Sequence, residues 1–173
     1  LVFSESLEEH VNHLREVFQV LRENQFYAKL SKWTFAQQKL EYLGHIISDE
    51  GVATDPEKTK VMMDWPVPQN VTELRGFLGL TGYYRKFVRH YGIIAKPLAQ
   101  LLQKNNFAWS DEAHLAFDKL KLVMSTTPVL GLPDFNKQFT IETDACSTGI
   151  GAVLIQYAHP VAFYSKALGI ENQ

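Results

Sequence analysis

Cysteine is almost missing from this sequence. Cys146 stands alone among 173 residues, so no internal disulfide can form, and a reducing compartment, cytoplasmic or nuclear, is the expectation. No apolar run approaches ~18 residues, which leaves no candidate for a membrane-spanning helix. No charged-then-apolar opening of the secretory kind is present, and there are no internal repeats or low-complexity tracts. Acids are scarce in one stretch. Between Thr72 and Lys104 the only one is Glu73, against Arg75, Arg85, Lys86, Arg89, Lys96 and Lys104. The net charge of −2 hides this local excess. A basic segment of this kind suits a polyanion-binding face and a solvated helix surface equally well.

What is present is enough for a core, since 46% of the residues are hydrophobic. Leu1–Ser4 reads as a short strand entered partway. Ser6 with Glu9 has capping-box spacing. Leu7, Val11, Leu14, Val17, Phe18 and Leu21 then recur at helical period, predicting a helix with one buried stripe. His10 and His13, one turn apart, are better read as a solvated pair than as metal ligands. "YAKLSKWTF" and "KLEYLGHIIS" read as two strands joined near Gln37-Gln38. Asp55-Pro56 starts a helix that the prolines of "WPVP" end. Asn70 and Glu73 open another, predicted to run through "VTELRGFLGLTGYYRKFVRHY".

On that helix Leu74, Phe77, Leu78, Thr81 and Val88 share the core side, while Arg75, Gly79, Gly82, Tyr83 and Lys86 gather opposite. Its glycines each disfavour a helix by ~1 kcal/mol relative to alanine, so they need a reason. Gly79, one turn from both Arg75 and Tyr83, suits close approach of a ligand backbone; Gly76 suits packing. A helix over Ile93–Gln103 follows. Ser110 caps another, with Ala113, Phe117, Leu120 and Met124 as its buried stripe. Phe139–Asp144, Gly151–Gln156 and Pro160–Ser165 read as an antiparallel meander. Trp33, Trp65 and Trp109 are expected in the core, and Cys146 has no activating base in view.

Several long motifs in order, "EYLGHIIS", "DPEKTKVMMDWPVPQNVTELRGFLGLTGYYRKFV", "FAWSDEAHLAFDKLK", "PVLGLPDFNKQFTIETDAC" and "GIGAVLIQ", resemble the pol polyprotein of gypsy-type LTR retrotransposons, those of plants in particular. The resemblance covers essentially the whole chain. It implies an α+β fold divided as follows: the end of a reverse transcriptase palm with a primer-grip-like hairpin over 1–52, a helical thumb over 53–105, a connecting helix and linker over 106–137, and the truncated, three-stranded start of an RNase H-like domain over 138–173. The parent polyprotein would be an RNA-directed DNA polymerase and an RNA–DNA hybrid ribonuclease.

The same resemblance implies roles. Leu1 would stand just past the polymerase aspartates. Tyr42, Leu43, Gly44 and His45 would belong to the hairpin that holds the primer end. Arg75, Gly79, Tyr83 and Lys86 would track the backbone of template–primer or hybrid, with no sequence preference. Asp144 would be the first-strand carboxylate of the RNase H endonuclease site. That chemistry uses paired Mg²⁺ ions held by several carboxylates. The family's next glutamate is expected beyond Glu171, to which the role is not transferred. The expectation is therefore a segment that retains template–primer-binding elements, is catalytically incomplete and binds no magnesium stably. Its partners would be nucleic acid and other pol segments. The alternative is a decayed element or an interaction remnant. The turn "QYAHP" departs from the Asp-Gly type of relatives, leaving that hairpin's geometry open.

Overall fold

The computed structural model describes residues 1–103 and 106–169; Lys104 and Glu171, named above, lie outside them. Among the described residues the fold is mixed, with five α-helices and two three-stranded antiparallel sheets.

The N-terminal segment departs most from expectation. Leu1–Ser4 is not a strand; it turns back so that Ser4 Oγ meets His10 Nδ1 at 3.1 Å and His13 Nδ1 at 2.8 Å. Helix α1, Leu7–Glu23, starts as predicted, the Ser6 hydroxyl accepting from the Glu9 amide at 3.2 Å. Its apolar stripe, however, is not buried: Leu7 is 68% exposed, Val11 and Phe18 are also open, and Leu14, Val17 and Leu21 are only half-buried. Only an aromatic patch covers part of it, with Phe18 stacked on Trp33 at 5.1 Å and Phe35 alongside. The predicted strand over "YAKLSKWTF" is also absent. A 3₁₀ turn at Leu30–Lys32 interrupts the extended run, and positive φ at Gln25 and Ala36 lies on either side of it, so alternation without a pairing partner produced no ladder.

"KLEYLGHIIS" is two strands, not one. β1, Leu40–Tyr42, and β2, His45–Ser48, are folded over a two-residue turn in which Leu43 and Gly44 both take positive φ, 50° and 72°. That is the turn whose twist matches a hairpin. β3, Gly51–Thr54, completes the sheet in the order β1-β2-β3. Gly51 could be nothing else: its φ is 129°, and a Cβ there would lie 2.1 Å from the Leu130 carbonyl oxygen.

Helices α2, Pro56–Met63, and α3, Val71–Tyr83, begin at the predicted caps. Asp55 accepts from the Glu57 amide at 2.8 Å, and Asn70 and Glu73 bond reciprocally, at 2.9 and 2.7 Å. α3 stops at Tyr83 rather than running on to Tyr91. A 3₁₀ turn, Arg85–Phe87, follows it and drives Tyr84, Phe87 and Val88 into the interior. Burial of those three residues outweighs continuation of the helix. α4, Tyr91–Gln100, starts two residues earlier than expected. α5, Asp111–Ser125, is capped by Ser110 and buries Ala113, Ala116, Phe117, Leu120 and Met124.

Two adjoining cores result. One joins Leu74 and Phe77 of α3 to Leu98 of α4 and Phe117 and Leu120 of α5, with the Phe77 and Phe117 rings 4.6 Å apart. Trp65 and Trp109 pack against it, half-buried. The other gathers Met62, Tyr84, Phe87, Val88, Met124 and Leu130. The second sheet is the predicted meander: β4, Thr140–Cys146; β5, Gly149–Gln156; and β6, His159–Ala167. The β5–β6 turn forms despite its unusual sequence, with Tyr157 and Ala158 both at positive φ, 51° and 62°. The connector after α5 touches both sheets. Leu130 exchanges two backbone hydrogen bonds with Val52, each 2.8 Å, while the Gly131 amide donates to the Pro160 carbonyl at 2.8 Å.

Candidate nucleic-acid interface

The hairpin turn and the end of α3 come together, forty residues apart in sequence. Tyr83 Oη donates to the Leu43 carbonyl at 2.7 Å, and Tyr84 Oη donates to the Gly44 carbonyl at 2.6 Å. His45 lies between them, its ring centroid 5.3 to 5.6 Å from those of Tyr83, Tyr84 and Phe87. Its Nδ1 is 3.0 Å from the Leu43 carbonyl and so carries the proton of that bond, while Nε2 is buried with no partner among the described residues. At 8% exposure the imidazole loses solvation. Its pKa is therefore lowered; the hydrogen bond to Leu43 opposes the shift and nearby Lys86 reinforces it. The Tyr84 phenol is pushed up to about 12, by burial first and then by Asp55, Tyr83 and Glu41.

What this leaves outward differs residue by residue. Tyr42 is exposed and Leu43 is 70% exposed, so side chains rather than turn carbonyls face solvent. His45, expected on the interface, is instead part of the supporting aromatic cluster. Tyr83 keeps half its surface open although its hydroxyl is committed. Arg75 and Gly79 are exposed on α3, and a Cβ on Gly79 would meet nothing within 4 Å. Gly76 behaves differently, its Cβ position lying 3.3 Å from Trp65 Cζ2. Arg75 and Tyr83, eight residues apart, span ~12 Å of helix. Lys86 falls outside that helical track because α3 has already ended. Its ammonium lies over the Phe87 ring, 5.3 Å from the centroid, and burial lowers its pKa. Among the described residues the one contact of a basic side chain with a carboxylate within 4 Å is His114–Asp118, at 3.5 Å, and none engages Arg75, Arg85, Lys86 or Arg89.

Asp144 sits elsewhere, exposed on β4 opposite Gly151 of β5. With Glu142, two residues before it on the same face, it borders a pocket of about 150 Å³ shared with Arg89, His90 and Tyr164. The His90 ring, whose backbone is at φ 61°, approaches Gly151 so closely that a Cβ there would be 3.4 Å away. β6 and the residue after it hold the sheet to α4: the Ser165 hydroxyl accepts from the Gly92 amide at 2.7 Å, and Lys96 donates to the Leu168 carbonyl at 3.0 Å. No group of three or more His, Cys, Asp or Glu side chains able to hold a metal occurs among the described residues. Two carboxylates on one strand do not fit a centre of two Mg²⁺ ions, which needs more ligands than they supply. Sequence reasoning passed over Tyr84 and His90, and noted Arg89 only as one of the bases of the Thr72–Lys104 stretch. The only available signal was the "YY" doublet, of which one tyrosine was read as outward and the other not read at all.

Helices built against two small antiparallel sheets, with a glycine-bearing helix beside a hairpin, set the architecture against which relatives are compared. The family described as an RNase H-like domain found in reverse transcriptase matches residues 109–172. The chain is 53% identical over 131 residues to an uncharacterized mitochondrial protein of Arabidopsis thaliana, covering 75% of this chain and 83% of that one. It is 41% identical over 170 residues to the retrovirus-related Pol polyprotein from transposon 297 of Drosophila melanogaster, covering 97% of this chain and 16% of the polyprotein. With the Pol polyprotein from transposon gypsy it shares 34% over 181 residues, 97% of this chain and 18% of that one. The fold matches the foamy viral protease-reverse transcriptase in complex with RNA/DNA hybrid. There the TM-score is 0.87 at 22% identity, over 98% of this chain and 24% of the viral one. The chain belongs to the gypsy-type retrotransposon Pol family, in its reverse transcriptase–RNase H region, and spans about a sixth of the Pol polyproteins it matches.

Proposed function

We propose that this segment holds template–primer duplex or RNA–DNA hybrid by its backbone, without reading sequence. Arg75, Gly79 and Tyr83 form the track along α3, Lys86 adds a charge at its end, and Tyr42 and Leu43 bear on the strand from the hairpin. Gly44 and His45 shape that hairpin. The observation that carries this reading is the exposed face of α3, where Arg75, without an ion-pair partner among the described residues, flanks the bare surface of Gly79. A sugar–phosphate backbone can approach a helix closely where no Cβ intervenes, and an unpaired guanidinium can meet phosphate. The division into palm end, thumb, connector and RNase H-like start belongs to the same proposal. So does Asp144 as an RNase H carboxylate of the parent polyprotein. The described residues supply too few ligands for metal-assisted hydrolysis to be derived from them.

The deciding experiment is fluorescence anisotropy of the chain against labelled RNA–DNA hybrids of unrelated sequence. Weak binding that is similar across sequences and falls steeply with salt is the expected result. Affinity indifferent to ionic strength would refute the reading. A second reading, docking of other pol segments, is favoured by the open apolar stripe of α1. A chain that elutes as a monomer and ignores added upstream pol sequence would count against it.

A further inference from the structure

The turn at Leu43–Gly44 has no free carbonyl. The Leu43 oxygen accepts from Tyr83 Oη at 2.7 Å and from His45 Nδ1 at 3.0 Å. The Gly44 oxygen accepts from Tyr84 Oη at 2.6 Å and from the Asp55 amide at 3.3 Å. Each of two consecutive tyrosines thus donates to one of two consecutive carbonyls. Their side chains diverge to do so, the two rings standing edge to face at 89° with centroids 5.0 Å apart. Tyr84 is fully buried and rooted in the second core, whereas Tyr83 is half open. The fit is close from the hairpin side too: a Cβ on Gly44 would lie 2.8 Å from Tyr84 Oη.

From this we infer that the hairpin turn and the C-terminal end of α3 form one rigid unit, clasped by Tyr83 and Tyr84, and that Tyr84 is a positioning residue for the strand contacts made by Tyr42 and Leu43. The positioning role rests on the duplex-holding reading above; the clasp does not. The two-residue turn is otherwise free to rock, because β1 is only three residues long and lies at the edge of its sheet. Holding both carbonyls fixes the direction in which the Leu43 side chain points. Tyr84 reaches no solvent-facing surface, so it acts through Gly44 and not on the nucleic acid.

Hydrogen exchange by mass spectrometry, together with hybrid binding, tests the inference on the full chain. Tyr84→Phe removes one hydroxyl and keeps the ring. It is expected to lower protection in 42–55 by roughly five- to tenfold, to leave α5 protection unchanged, and to weaken hybrid binding severalfold. Gly44→Ala, which attacks the same contact from the other side, should reproduce that pattern. Arg75→Ala should weaken binding with no change in exchange at the hairpin. Unchanged protection of 42–55 in a Tyr83→Phe/Tyr84→Phe double variant would overturn the clasp. So would a loss spread equally over α5, which would make Tyr84 a core residue only. If the parent chain binds no hybrid, the positioning role and the duplex-holding reading fall together, and the exchange result still decides the clasp.

Discussion

The position a Cβ would occupy on Gly76 lies 3.3 Å from Cζ2 of Trp65, while the same position on Gly79, one turn on, faces open space. The two glycines therefore answer to different constraints. Gly79→Ala is expected to stabilise the fold by up to ~1 kcal/mol through helix propensity alone. Gly76→Ala should gain less or lose, because the indole must move by a few tenths of an ångström. Urea midpoints of the two variants check this. In the duplex-holding reading the more stable Gly79→Ala protein also binds hybrid less well, a separation of stability from binding that no packing role would give.

Charge reversal probes Arg75 and Lys86, which have no carboxylate partner among the described residues. Arg75→Glu with Lys86→Glu should weaken hybrid binding about tenfold or more at moderate salt. It should also flatten the dependence of log K on log salt by about one unit for each phosphate contact removed. An unaltered salt slope would show that neither residue meets a phosphate.

His45 makes stability depend on acidity. Its imidazole is buried with Nε2 bare, and its pKa in the fold lies below the ordinary value of 6.5. The unfolded chain then binds the proton first as the medium acidifies. The contribution is fully present above pH ~6.5 and is lost as pH falls from there toward the folded-state value. Thermal midpoints recorded from pH 7.5 to pH 5 should decline, and less steeply in His45→Gln. A parallel decline in both would assign the effect to other groups.

The β5–β6 turn carries strain that can be relieved. Tyr157 and Ala158 both occupy left-handed φ without being glycine, at ~1 kcal/mol or more apiece. Ala158→Gly, and Tyr157→Asn with it, should raise the unfolding midpoint by several degrees. No gain would mean that the local conformation is set by contacts beyond the turn.

Local chemistry explains which features were legible in the sequence. Ser6, Asp55, Asn70 and Ser110 cap their helices through bonds spanning two or three residues, and each was readable from its neighbours alone. The three strands β4 to β6 were likewise readable as a meander from their own sequences, though not the register irregularity at Leu154–Ile155. Long-range effects were not readable. Alternation in "YAKLSKWTF" suggested a strand, but a strand needs a partner. The stripe on α1 suggested burial, but nothing among the described residues packs extensively along it. The end of α3 was misjudged because burial of Tyr84 and Phe87 in a core containing Met62 and Met124 settles it. The site was partly visible for a similar reason. Gly79 and Arg75 show as a surface pattern, whereas the engagement of Tyr83 and Tyr84 with Leu43 and Gly44 depends on a fold that brings residue 84 to residue 44.

Leu130 and Gly131 act as a keystone between two arches. One is fastened to Val52 and the other to Pro160, so a tear begun in either sheet pulls at once on the dipeptide that secures its neighbour. Heat should accordingly take the two sheets apart in a single calorimetric peak, with α1, which has no such tie, loosening at lower temperature.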